Sequence, residues 1–166
     1  MSYARRTIRD GIVVGLIGYA SVAVFYSAFD FLAARGTLYT VNMLGRAVFR
    51  GLRDPAVLQF PMALDPQAIM LYNALHLALA LIIGLIVTGL VAMGEQSPAR
   101  RRGVRLVIAA GFVVTIGVIG FLTTSLRPVL PWWSIVVANA LAVALAGAYL
   151  LRQRPGLWSR LALLAR

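Results

Sequence analysis

Cysteine and lysine are both absent from the 166 residues, histidine occurs once, and only five side chains are acidic. Without cysteine the chain holds no disulfide, no thiolate metal site and no thiol redox chemistry. A single histidine, His76, excludes bis-histidine haem ligation within one chain. The motif for a zinc protease, a Ser–His–Asp set, paired catalytic carboxylates and a glycine-rich phosphate loop are all missing as well. These gaps argue against an enzyme acting alone.

Charge is scarce too. Charged residues make up 13% and hydrophobic ones 61%, where a soluble domain carries about 25% charged residues. Mean hydropathy is +0.86. Such a chain has too few polar side chains to cover a globular surface, so its solvent is lipid. Several runs reach the roughly 20 residues that cross a hydrocarbon core as a helix.

What charge there is has one dominant sign. All 16 basic residues are arginine, and the net charge is +11. In a soluble protein this balance would suggest nucleic acid. Here the arginines fall in flanks and loops rather than along one face, as the positive-inside bias and attraction to anionic headgroups require. Membrane lipids are therefore the expected partners, and nucleic acid is not.

The first apolar run, residues 11–32, follows "ARRTIRD". A signal peptide also begins with basic residues, but this run exceeds the roughly 7–15 residues of a signal core, so a retained span is expected. Further spans are expected over 68–93, 104–126 and 132–151. Together they form an all-α, antiparallel four-helix transmembrane bundle, with residues 1–166 as a single transmembrane domain. The N-terminus, the second connection and the tail hold eleven arginines, and the first and third connections hold five. That asymmetry puts both termini in the cytoplasm. The short "RPVLP" makes spans three and four antiparallel neighbours. Pro131 suits a first helical turn, and Trp132 with Trp133 suits the interfacial aromatic belt.

The long first connection carries Leu38, Val41, Leu44, Val48 and Leu52 at helical spacing, with Arg46, Arg50 and Arg53 on another face. This pattern predicts an interfacial amphipathic helix over residues 37–53. Gly36 would end the first span, Thr37 would cap the new helix and Pro55 would stop it. The tail, residues 155–166, repeats the pattern with Leu157, Trp158, Leu161 and Leu164.

Small residues mark where membrane helices approach closely. Span one has Gly11, Gly15 and Gly18; span two has Ala80, Gly84 and Thr88. Span three has Gly117 and Gly120, and span four has Ser134, Ala138, Ala142 and Ala146. No internal repeat suggests an inverted-repeat transporter.

His76 lies eight residues into span two, roughly 12 Å along at 1.5 Å per residue. Other polar side chains gather in the same outer half. They are Tyr26 and Asp30 of span one, Asn73 beside His76, Thr124 ending span three and Asn139 of span four. These six form a candidate polar pocket. Three outcomes are open for them. They can form an internal hydrogen-bonded layer with no cofactor, or a site for a small solute, lipid or quinone. In the third, His76 ligates haem or chlorophyll. Asp30 could approach His76 as an acid–base pair, or pair with Arg35 or Arg127.

The segments "RDGIVVGLIGYA", "LRDP" and "PWWSIVVANALAVALAGAYL" resemble parts of a group of uncharacterised four-span bacterial membrane proteins, which have a similar histidine in the second span. The resemblance implies a bacterial inner-membrane protein and brings no activity with it. The central membrane-embedded glutamate of small multidrug transporters is missing from span one. The expected role is a non-catalytic accessory subunit of a larger membrane complex, respiratory or photosynthetic, with other membrane subunits as partners.

Overall fold

The computed structural model describes residues 2–154. It is all-α. The helices are α1 (Tyr3–Leu32), α2 (Tyr39–Phe49), α3 (Pro66–Gln96), α4 (Arg101–Leu122) and α5 (Trp132–Gln153), with short 3-10 turns before and after α4. Four of them, α1, α3, α4 and α5, are long and apolar enough to cross a membrane. The chain is a multi-pass membrane protein. The expected tail helix at 155–166 lies outside the described residues.

Helix ends follow local chemistry. Ser2 accepts from the Arg5 N–H, so α1 begins eight residues before the expected span and takes in the arginine cluster. Asp65 caps α3 through the Ala68 N–H at 3.0 Å, with Pro66 just inside the helix.

Packing sets the order of the spans around α1. Its start meets the end of α3, where the Tyr3 hydroxyl donates to the Ala92 carbonyl at 3.2 Å. It also meets the end of α5, where Arg6 donates to the Gln153 carbonyl. Both neighbours therefore run antiparallel to α1. Lipid gives helices no hydrophobic reason to associate, so close van der Waals contact must hold them. Gly11, Gly15 and Gly84 allow it. A Cβ on Gly15 would lie 2.7 Å from the Leu81 Cα, and one on Gly84 would lie 2.5 Å from the Gly15 N. The small ridges of spans one and two thus face each other. Gly18, Gly117 and Gly120 meet nothing within 4 Å of a Cβ, so small residues there mark no close contact with the described residues.

The first connection departs from its expected form. Its helix is shorter, Tyr39–Phe49, and Thr37 does not cap it. Gly51, at φ +67°, follows its end, well before Pro55. The face turned inward is Tyr39, Met43 and Ala47, with Thr40, Asn42 and Gly45 also buried, while Leu38 and Val48 are exposed. Tertiary contacts explain the rotation. A Cβ on Gly45 would come 2.5 Å from the Ala68 carbonyl, so α2 is pressed against the start of α3. Tyr39, Met43 and Ala47 form a core with Leu58, Leu126, Leu130 and Ile135. The helix is a packed cap over one end of the bundle.

Segment 50–65 completes this cap. Tyr39 donates to the Leu58 carbonyl at 2.8 Å, and burial pushes its phenol pKa up, so it remains a neutral donor. Asn42 donates to the Ala63 carbonyl and accepts from the Asp65 N–H. Arg50 clamps Asp65 through Nε at 2.9 Å and Nη2 at 3.3 Å. That clamp holds the Asp65 carboxyl at about 2, well below the usual carboxylate range.

Candidate functional site

The six expected pocket residues do not converge on one cavity. They divide among three joins, and two of them stand apart.

The deepest join links α1 to α3. The Tyr19 hydroxyl donates to Asn73 Oδ1 at 2.9 Å, and Asn73 Nδ2 donates back to the Ile69 carbonyl of its own helix. His76 sits one turn further on, its ring centroid 5.2 Å from that of Tyr19 and 6.2 Å from that of Tyr72. The imidazole is partly buried and makes ring contacts, but no hydrogen bond to any described residue. Tyr19 was not among the expected residues. Its position seven residues before Tyr26, on the same helical face, was the available signal.

The second join links α1 to α5. The Tyr26 hydroxyl lies 3.3 Å from Ser134 Oγ, which itself donates to the Pro131 carbonyl at 2.7 Å. The third lies under the cap. Asp30, 1% exposed, accepts from the Thr40 N–H at 2.6 Å, from the Thr40 hydroxyl at 2.7 Å and from Arg35 at 3.2 Å. Arg35 also donates to the Val129 carbonyl and stacks over the Phe29 and Tyr39 rings. The choice left open for Asp30 falls to Arg35, and neither Arg127 nor His76 bonds it. Its carboxylate serves as the missing N-cap of α2, whose own Leu38 offers no acceptor.

Thr124 is exposed and bonds the Gly120 carbonyl, while Asn139 bonds the Ile135 carbonyl. Both turn back on their own helices, leaving four of the six in interhelix contacts.

A charged cluster at the opposite end was not anticipated. Asp10 is fully buried and Arg154 is 5% exposed. Arg154 bonds Asp10 at 3.1 Å and also pairs with Glu95, joining α1, α3 and the end of α5. Arg6, Arg9 and the Tyr149 hydroxyl approach Asp10, and the Tyr3 hydroxyl donates to Glu95. The spacing of Arg6 and Asp10, one helical turn, was visible in the sequence. The three-helix junction was not.

Among the described residues, no three His, Asp or Glu side chains come together in a way that could hold a metal ion. Among the described residues His76 alone offers imidazole nitrogens, at which haem, chlorophyll or a quinone carbonyl could be held. The Tyr19 and Tyr72 rings beside it restrict a broad macrocycle more than a small ring.

Comparison of the chain with family models, with curated proteins and with solved structures finds no match.

Proposed function

We propose that the protein is a non-catalytic accessory subunit of a larger assembly in a bacterial inner membrane, with both termini cytoplasmic. The observation that supports this best is how unevenly the four spans are bound. Asp10, Asp30, Tyr19, Tyr26 and Asn73 are all spent on internal joins, and these tie α1 to α3, α5 and the cap. By contrast, α4 buries only Val104 among its described residues, and Arg101 Nε reaches the Gly94 carbonyl at 3.3 Å from the very start of the helix. Gly103, Gly111, Gly117 and Gly120 of α4 meet nothing. A span with that many small, uncovered positions suits close approach by a helix of another subunit.

Mild detergent extraction followed by native gel electrophoresis tests the proposal. The protein should migrate with larger partners, and the replacement Gly117→Leu should release it. Migration alone, under conditions that preserve other membrane complexes, would count against it. Reporter fusions in segments 50–65 and 96–100 should report opposite sides of the membrane, with the second one cytoplasmic.

A second reading has its own support in the His76 imidazole, which makes no hydrogen bond to a described residue. A polar group in hydrocarbon seeks a partner, and a small lipid-soluble carbonyl compound such as a quinone would supply one. An absorption spectrum of the purified protein separates the pigment alternatives. A haem or chlorophyll band that disappears in His76→Ala would establish ligation, and a colourless protein would remove both.

A further inference from the structure

Two polar side chains on adjoining turns of α3, Tyr72 and His76, have no hydrogen-bond partner among the described residues. Their ring centroids are 6.2 Å apart. A phenol or an imidazole in hydrocarbon needs a partner, because lipid supplies none. The polar neighbour on the same helix has found its own. Asn73 takes the Tyr19 hydroxyl at 2.9 Å and gives an N–H to the Ile69 carbonyl, which leaves the Tyr19 ring set against the imidazole.

Both unpaired side chains belong to one stripe of α3. Tyr72, His76, Leu79, Ile83, Leu90 and Gly94 recur at helical spacing and share a face. At its Gly94 end α4 covers this stripe, with the Val104 side chain 3.6 Å from where a Gly94 Cβ would lie. Further along, the cover ends. Leu79 and Ile83 are 49% and 48% exposed, and α4 buries no described residue beyond Val104. The stripe therefore opens into an apolar cleft beside Leu79 and Ile83, with Tyr72 and His76 at the end nearer the cap.

Building on the quinone reading of His76, we infer that this cleft holds a hydrocarbon-soluble quinone, one ring carbonyl lying between the Tyr72 hydroxyl and the imidazole. A carbonyl oxygen has two lone pairs, and the phenol O–H and a neutral imidazole N–H supply one donor each. Two convergent donors in apolar walls are what such a ligand requires. Depth excludes the ester carbonyls of phospholipids. His76 lies roughly 12 Å beyond the start of the apolar run at Ala68, at 1.5 Å per residue. The polar layer of one leaflet is only about 5–8 Å thick. The exposed Leu79 and Ile83 side chains give a quinone ring both a wall and a path from the bilayer.

The test uses the full chain in phosphatidylcholine nanodiscs, with decylubiquinone carrying carbon-13 at its carbonyls as the probe. Binding is measured against protein-free nanodiscs, and hydrogen bonding by the infrared carbonyl stretch. The wild type should bind the quinone and lower its carbonyl frequency. One hydrogen bond is worth up to about tenfold in affinity, so Tyr72→Phe should weaken binding by about that factor and reverse part of the frequency shift. Its melting temperature without quinone should be unchanged, since the hydroxyl bonds no described residue. Leu79→Trp should fill the cleft and block binding with both donors intact. Met70→Trp, at a 69% exposed position on another face, should not. Binding no greater than to protein-free nanodiscs, or undiminished binding in His76→Ala, would overturn both the inference and the reading beneath it. If His76→Ala loses binding but either Tyr72→Phe or Leu79→Trp binds as the wild type does, His76 still takes a quinone and the two-point site in the cleft falls.

Discussion

Asp30 caps a helix to which it does not belong: its carboxylate takes both the backbone N–H and the hydroxyl of Thr40, ten residues on, at 2.6 and 2.7 Å. One buried side chain thereby orients α2 relative to the end of α1.

Removing that carboxylate should loosen the cap. Asp30→Ala leaves Arg35 without its ion-pair partner and Thr40 without its acceptor. A cost of about 3 kcal/mol is expected, the order found when one member of a buried pair is lost. Thr40→Val keeps the backbone bond and should cost about 1 kcal/mol. Thermal unfolding in detergent gives the ranking. Equal effects of the two changes would show that the carboxylate does not act through α2.

Glycine packing separates the two halves of the bundle. Gly84→Ala places a methyl group against the Gly11 carbonyl and the backbone of Gly15. Overpacking of this kind costs about 1–3 kcal/mol. Gly117→Ala meets open space and should change the stability of the isolated chain by no more than about 0.5 kcal/mol. Similar losses at both positions would refute the pairing of α1 with α3.

Acid should loosen the Arg50–Asp65 clamp. The folded carboxyl titrates at about 2, below the value of about 3.9 expected in an unfolded chain. A depressed carboxylate contributes stability above its unfolded pKa and loses it as pH falls through its folded one. The contribution is thus complete above about pH 4 and fades toward pH 2. Hydrogen exchange at the Ala68 amide should accelerate across that window. With Arg50→Gln the acceleration should begin at higher pH, because the hydrogen bonds from Arg50 are the largest cause of the depression. Identical pH profiles for the two proteins would rule out this role for the clamp.

A single histidine gives a single imidazole nitrogen-15 pattern, which needs no assignment. With no hydrogen bond to described residues, His76 should show nitrogen shifts that respond to an added quinone analogue while those of Tyr19→Phe respond less. His76→Ala and Asn139→Ala should be additive in stability, since Asn139 bonds only the Ile135 carbonyl. Strong non-additivity would place both in one network and remove the case for an external partner.

Much of the architecture was legible before any coordinates. Composition and run length determine four membrane helices, because the energetic demand of hydrocarbon leaves a backbone little choice. Arginine placement marks the two ends, and glycine at Gly11, Gly15 and Gly84 marks a close helix contact without naming its partner. The face that α2 buries was decided by tertiary structure. Helical periodicity offered Leu38, Val41, Leu44, Val48 and Leu52, but contact with Ala68 and a core built from Leu58 and Leu130 centred the buried face on Tyr39, Met43 and Ala47, with Leu44 and Leu52 at its edge and Leu38 and Val48 exposed. The same holds for the polar residues. Sequence placed Tyr26, Asp30, Asn73, His76, Thr124 and Asn139 in one half of the membrane, yet shared depth does not fix rotation about a helix axis. Rotation set by glycine contact and by the joins at Thr40, Ser134 and Tyr19 sent four of the six to neighbours and turned Thr124 and Asn139 back on their own carbonyls.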